Sequence, residues 1–215
     1  MTMADDYLGR KMEEYRARAA TPAVRRAHAT LNGLLLKNRS YRGYDPRYEV
    51  RADQLRSMIE VNTRIPSARN QQVLRFRPVL SDEAPLLLPL LHMGAALPEL
   101  HLPLPGTEPR AFIVVCSTIP ENRYVDIDLG ISVQSMLLRA AEIGLNGLCI
   151  AAFNAAQVRE TLHLPYDPLL IVAVGRGAER IELKEISAGD DHSYYRRDGV
   201  HYVPKVRLDD LLIER

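Results

Sequence analysis

The chain has no tryptophan, only two cysteines, three phenylalanines and no excess of charge of one sign. It also lacks any run approaching the roughly 18 uninterrupted apolar residues of a spanning helix. Each absence removes a class of function. Cys116 in AFIVVCS and Cys149 in GLCIAAF sit inside apolar runs, without Cys or His at metal-ligand spacing. A disulfide framework and a thiolate metal site are therefore excluded, and both residues are expected to be buried, reduced thiols. The N-terminus, MTMADDYLGRKMEEYRARAA, has no apolar signal core, so a cytoplasmic protein without a membrane segment is expected. Twenty-eight Lys and Arg against 27 Asp and Glu give a net charge of +1, too little to draw the chain onto nucleic acid. The six histidines, at 28, 92, 101, 163, 192 and 201, are scattered, and no Ser-His-Asp or Cys-His arrangement stands out. Neither a metal nor a catalytic side chain is expected.

What remains is an ordinary globular composition, 47% hydrophobic and 26% charged over 215 residues, enough for one large domain. Residues 5 to 37 read as two helices broken at Thr21-Pro22, where Thr caps and Pro occupies the first helical position. Residues 1 to 42 carry nine basic residues against four acidic ones, a net of +5, for which a solvated helical face is the common cause. A helix over 51 to 65 stops at Pro66, and VLRFRPVL alternates as a strand whose Pro places it near an edge or end. Six of the 14 prolines fall between Pro85 and Pro109, so a short helix over 86 to 96 should give way to an irregular flap. AFIVVCS, 111 to 117, is a continuous apolar strand. The helix after it begins at Asp126 or Asp128 as a cap, ends at Gly144, and is apolar on nearly every face, which predicts a central position. Strand 147 to 152, helix 154 to 162 capped by Asn154, strand 169 to 175, short strands near 181 to 186 and 201 to 203, and a last helix near 208 to 214 complete an α+β domain.

Four polar constellations carry possible chemistry, each with a plainer reading beside it. Arg39-Ser40-Tyr41-Arg42 places two guanidiniums and a hydroxyl where they can converge on a phosphate, or where they simply decorate the surface. Lys205-Val206-Arg207 puts two cations on one side of an extended segment, as a ligand claw or as protection for a strand edge. Pro66-Ser67 through Gln72 offers donors and acceptors to a planar polar ligand, or is a capped turn with wet amides. The small residues Ala151-Ala152 at the end of a buried strand let a flat ligand approach the backbone, or merely allow close packing.

Taken in order, RSxR, PSxxNQQ, the pattern from Asp128-Leu129-Gly130 to Leu145, Val174-Gly175 and Pro204-Lys205-Val206-Arg207 resemble the nitroreductase family of FMN flavoproteins over about residues 32 to 215. The resemblance implies an α+β, three-layer sandwich with a mostly antiparallel mixed central sheet flanked by helices, in an intertwined homodimer, with residues 1–31 as an N-terminal helical extension. It implies Arg39, Ser40, Arg42, Lys205 and Arg207 as the FMN phosphate claw, and Pro66, Ser67, Ala68 and Asn70 along the isoalloxazine and ribityl. Ala151 or Ala152 would offer a backbone N–H to flavin N5. The implied activity is ping-pong transfer of hydride from NADH or NADPH through the flavin to a small-molecule oxidant, a nitroaromatic, quinone or similar electrophile. A dehalogenase or flavin-fragmenting enzyme of the same fold, or a flavin- or partner-binding protein without turnover, are the alternatives. The chain departs from the family pattern at Asn38, where many members carry Arg, at Gln72-Val73, where Pro-Trp is frequent, and at Ala151-Ala152, where Glu or Gly is frequent.

Overall fold

The computed structural model describes Lys11 and residues 29–94 and 102–213. The chain divides into two compact units, Met1–Leu31 and Asn32–Arg215. Of the helices expected over 5 to 37, only α1, Leu31–Lys37, lies within the described residues.

The core of the second unit is built around β2, Ala111–Ser117, in which all seven residues are buried. A β-branched run of this kind, apolar on both sides, needs cover on both faces. It pairs antiparallel with β1, Leu74–Val79, and with β4, Asp167–Gly175, while β4 pairs antiparallel with β3, Asn146–Ile150. The sheet order is β1-β2-β4-β3, leaving β1 and β3 as edges. Alternate residues of β2 then feed two cores. Phe112, Val114 and Cys116 pack with Leu87 and Val158 on one face, whereas Ala111, Ile113 and Val115 pack with Leu55, Met58, Met136 and Ala140 on the other. Helices α2, Ala52–Glu60, and α4, Arg123–Glu142, cover that second face, and α3, Ala84–Leu87, with α5, Ala155–Thr161, cover the first. Each fully buried large aliphatic or aromatic side chain contributes about 1.5–3 kcal/mol. Three layers result, helix on sheet on helix.

The four strands of the central sheet pair antiparallel. Parallel pairing occurs in a separate three-stranded sheet, where β5, Arg180–Ile186, runs parallel to β7, Val200–Val206, and β6, Tyr195–Arg197, pairs antiparallel with β7. A final short helix, α6, spans Leu208–Leu211.

Several expectations are corrected. The long helix starts at Arg123, a turn or more earlier than either aspartate predicts, because the Asn122 side chain accepts from the N–H groups of Tyr124 (3.0 Å) and Val125 (3.4 Å). Its outer face is open: Ile127 is 46% exposed, and Gly130 and Gln134 are also exposed, so the helix is half covered within one chain. Cys149 is exposed, since β3 is an outer strand that the Ser40 bridge reaches only at Gly147. Cys116 is buried as expected, and burial pushes its thiol up to about 11. The helix expected over 86 to 96 stops short, as α3 followed by a 3₁₀ turn at Leu88–Leu90, because Pro89 has no N–H with which to continue.

Candidate functional site

The segment after α1 lies along the free edge of β3. Asn38 N–H closes the helix on the Leu34 carbonyl (2.8 Å), and Asn38 Nδ2 donates to Gln134 Oε1 (3.2 Å). Ser40 then bridges Gly147 in parallel, and Tyr41 N–H donates to the Gly147 carbonyl (3.2 Å). Gly147 permits this crowding: a Cβ there would stand 2.5 Å from Leu137 Cδ2 and 2.8 Å from the Ala173 carbonyl oxygen. Gly175 serves the same purpose next door, since a Cβ would meet the Tyr44 ring at 2.5 Å. Gly175 is thus a packing requirement of Tyr44.

Arg39 donates through Nη2 to the Leu35 carbonyl, yet its Nε is buried and has no hydrogen-bond partner among the described residues. Desolvation by burial draws its pKa below the usual guanidinium value. Arg42 turns the other way, over the Tyr194 ring at 4.9 Å, with Nη2 3.4 Å from Tyr194 Oη and Nη1 donating to the Ser40 carbonyl (3.2 Å). From Gly147 to Ala151 is four residues, about 13 Å along β3. There the Ala152 carbonyl accepts from His92 N–H (2.8 Å) and Leu91 bridges Phe153, fixing the corner while Ala151 and Ala152 stay exposed.

The loop from Pro66 to Gln72 is held from beneath by a residue that the sequence marked as a possible cap and as the start of the Asp128–Leu145 pattern, but not as an anchor. Asp128, 4% exposed on the second turn of α4, accepts from Ala68 N–H (2.7 Å) and Gln71 Nε2 (3.2 Å). Ser67 Oγ accepts from Gln72 N–H (3.0 Å). These bonds hold three non-glycine residues in the left-handed region, Arg69 (φ 53°), Asn70 (φ 54°) and Gln72 (φ 47°). Pro66, Ser67 and Asp128 open onto a cavity of about 1110 Å³ whose apolar wall includes Leu74 and Phe76 of β1.

The two C-terminal cations stand elsewhere. Lys205 pairs in register with Glu185 across β5, and Arg207 Nε bonds Asp210 Oδ1 (3.0 Å). Arg42 lies near His201 at the start of β7, so Arg207 is six residues, about 20 Å, along the strand from that end. One chain therefore presents the sequence-predicted site residues as three groups: Arg39, Ser40 and Arg42 along the β3 edge with Ala151 and Ala152 just past its end; Pro66, Ser67, Ala68 and Asn70 on the Asp128-anchored loop; and Lys205 at the end of β7 with Arg207 just beyond it. Sequence reasoning missed Asp128 as an anchor and missed Glu179, which accepts from the N–H groups of Arg42 and of Gly43 (3.0 Å) and so shapes the Arg39–Arg42 segment. An acid within a helix that is otherwise apolar on nearly every face was the available signal for the first.

Among the described residues, no group of three or more His, Cys, Asp or Glu is placed to hold a metal, and no helix is long and apolar enough to cross a membrane. Residues 102–176 match the model described as the nitroreductase family. No curated protein matches the sequence. Among solved structures, the chain is similar to a nitroreductase family protein from Streptococcus pneumoniae TIGR4, at 17% identity over 86% of this chain and 100% of that one, TM-score 0.63. It is similar also to an FMN-dependent nitroreductase from Clostridium difficile R20291, at 22% identity over 70% and 89%, TM-score 0.57. A third is a protein from Exiguobacterium sibiricum 255-15 solved in complex with FMN, at 18% identity over 70% and 89%, TM-score 0.56.

Proposed function

We propose that this chain, whose fold is that of nitroreductase family proteins, binds FMN and acts as an oxidoreductase, passing hydride from NADH or NADPH to a small conjugated oxidant. The observation that carries the reading is Arg39: a guanidinium on the edge of β3 whose buried Nε has no partner among the described residues is a donor awaiting an acceptor. An Nε–H donates only, and a buried donor left unmade costs about 1–3 kcal/mol. A phosphate oxygen supplies that acceptor, and two of the similar structures are FMN proteins by name.

On this reading Arg39 and Ser40 hold the phosphate, joined by Arg42, Lys205 and Arg207, and the stretch of β3 edge up to Ala151 takes the ribityl chain. The corner at Ala151-Ala152, pinned by His92 N–H, offers backbone to the ring edge without a side chain in the way. Pro66, Ser67, Ala68 and Asn70 lie along the ring and ribityl, oriented by Asp128. The bound flavin supplies the hydride chemistry. The residues of the chain bind it, orient it and leave one face accessible.

The three groups converge only if a second copy completes the site, so the working form is a homodimer. Apolar surface left uncovered in the single chain supports this: Leu35 (39% exposed), Leu36 (59%), Ile127 (46%), Leu208 (67%) and Leu212 (59%). Titration of the purified protein with FMN and with riboflavin tests the claw. The phosphate contacts predict FMN binding at least about a hundredfold tighter, two charged hydrogen bonds at about 1.5–3 kcal/mol each. Equal affinities would remove the phosphate from the reading.

A further inference from the structure

The ring end of the proposed flavin site has no acid of its own. Pro66, Ser67, Ala68, Asn70, Ala151 and Ala152 carry no side chain that gives up a proton at neutral pH. Reduction of a quinone needs such a group, because hydride brings two electrons and one hydrogen, and the second hydrogen must arrive as a proton. Three of the four described histidines are committed elsewhere. His163 closes the far end of α5 through its N–H to the Glu160 carbonyl (3.1 Å), the His192 ring lies 3.1 Å from the Ala188 carbonyl, and His201 is buried beside Arg42. The fourth is His92.

His92 belongs to the Ala151-Ala152 corner itself. Its N–H donates to the Ala152 carbonyl (2.8 Å), Asn154 N–H donates to the Leu90 carbonyl (3.3 Å), and Leu91 bridges Phe153 antiparallel between them. His92 and Ala152 are therefore cross-strand neighbours, with Cα atoms about 5.5 Å apart and Cβ atoms on the same side. The adjoining pair decides which side that is. Leu91 and Phe153 both pack against the core of Leu87, Phe112 and Val158, so the imidazole and the Ala152 methyl point away from that core. Both residues are exposed, and the His92 ring has no hydrogen-bond partner among the described residues. The Ala152 methyl leaves the space beside the imidazole open.

We propose that His92 is the general acid for reduction of the oxidant, an inference that rests on the placement of the flavin ring edge at Ala151-Ala152. A quinone stacked at this corner accepts hydride at one oxygen, and the His92 imidazolium gives its N–H proton to the other. One O–H bond forms as one N–H bond breaks, and the electron pair of the broken bond stays on the imidazole. The quinone is reduced by two electrons to the neutral hydroquinone, and water returns a proton to His92. Imidazole is the side chain that most often serves in this role. Oxidants that must gain hydrogen therefore depend on His92, whereas oxidants that take electrons alone do not.

The test begins without turnover. Histidine ring resonances of the full chain, with His92 assigned by its loss in His92→Gln, are followed by NMR as FMN is added, and the His92 signal should shift saturably. The FMN-loaded protein is then reduced anaerobically with dithionite, so that no nicotinamide is involved, and mixed with a quinone or with ferricyanide, which takes up electrons and no hydrogen. His92→Gln, which keeps the backbone bond to Ala152, should slow reoxidation by the quinone about a hundredfold. Reoxidation by ferricyanide should be unchanged. Native-rate reoxidation by the quinone in a folded, FMN-loaded His92→Gln protein, an equal loss with both oxidants, or a His92 signal that ignores bound FMN would each overturn the proposal while leaving the flavin reading in place. A native protein that takes up no FMN would overturn that reading, and the role of His92 with it.

Discussion

Replacing Asp128 by Ala should loosen the Pro66–Gln72 loop and lower stability together, and the size of both effects follows from its two hydrogen bonds. Asp128 accepts from Ala68 N–H at 2.7 Å and Gln71 Nε2 at 3.2 Å, from a position only 4% exposed. Hydrogen bonds to a charged group contribute about 1.5–3 kcal/mol each. Part of that is recovered when the freed loop relaxes, because Arg69, Asn70 and Gln72 no longer have to hold positive φ, at about 1 kcal/mol or more apiece. The net loss is then at most about 3 kcal/mol, which for a chain of this length lowers the melting temperature by up to about 12 °C. Asp128→Asn should cost less, since its carbonyl still accepts from Ala68 N–H while Gln71 turns its amide to suit. Thermal melts give the ordering Ala below Asn below native, and hydrogen exchange at Ala68 N–H should accelerate in the Ala variant alone. An Asp128→Ala protein with native melting temperature and native exchange at Ala68 would refute the anchoring role.

Arg39→Ala combined with Arg207→Ala should weaken FMN by about 3–6 kcal/mol, roughly two to four orders of magnitude, in a protein that still melts cooperatively; fluorescence titration reads it. Gly147→Ala should destabilise by about 1–3 kcal/mol in urea melts, because its Cβ would press on the Ala173 carbonyl oxygen (2.8 Å), which cannot yield as a side chain does. His201 is held below its ordinary value of 6.5, so on acidification the unfolded chain takes up the proton first. Stability should therefore fall as pH drops from about 7 through 6.5 until the native imidazole itself titrates, and His201→Gln should flatten that slope. Sedimentation should find a dimer, and a lasting FMN-loaded monomer would contradict the shared site.

The layers were legible because their signals are local. Seven apolar residues in a row at Ala111–Ser117 announce a two-faced strand, and Asn154 before Ala155–Thr161 announces a capped helix, with its side chain accepting from Gln157 N–H (3.1 Å) as expected. The start of α4 was misread because two aspartates and an asparagine compete as caps within seven residues, and only tertiary contact decides. Asp128 is committed to a loop 60 positions away in the chain. Cys149 was misread because an apolar run does not say that its strand is an edge. Among the site residues, the grouping of Arg39 with Ser40 follows from adjacency, whereas the separation of Lys205 and Arg207 from them depends on β7 pairing with β5, which no spacing reveals. Glu179 left no signal, since its partners are backbone N–H groups 136 and 137 positions away and the Arg196 guanidinium 17 positions on.

Anaerobic mixing of the FMN-loaded protein with NADH and, separately, with NADPH tests the central claim most directly. The account predicts that the oxidised flavin absorbance is lost in a single turnover with at least one of the two, and returns on addition of a quinone or nitroaromatic without either nicotinamide present. A bound flavin that neither nucleotide reduces would leave a flavin-binding protein without this turnover, and would contradict the account.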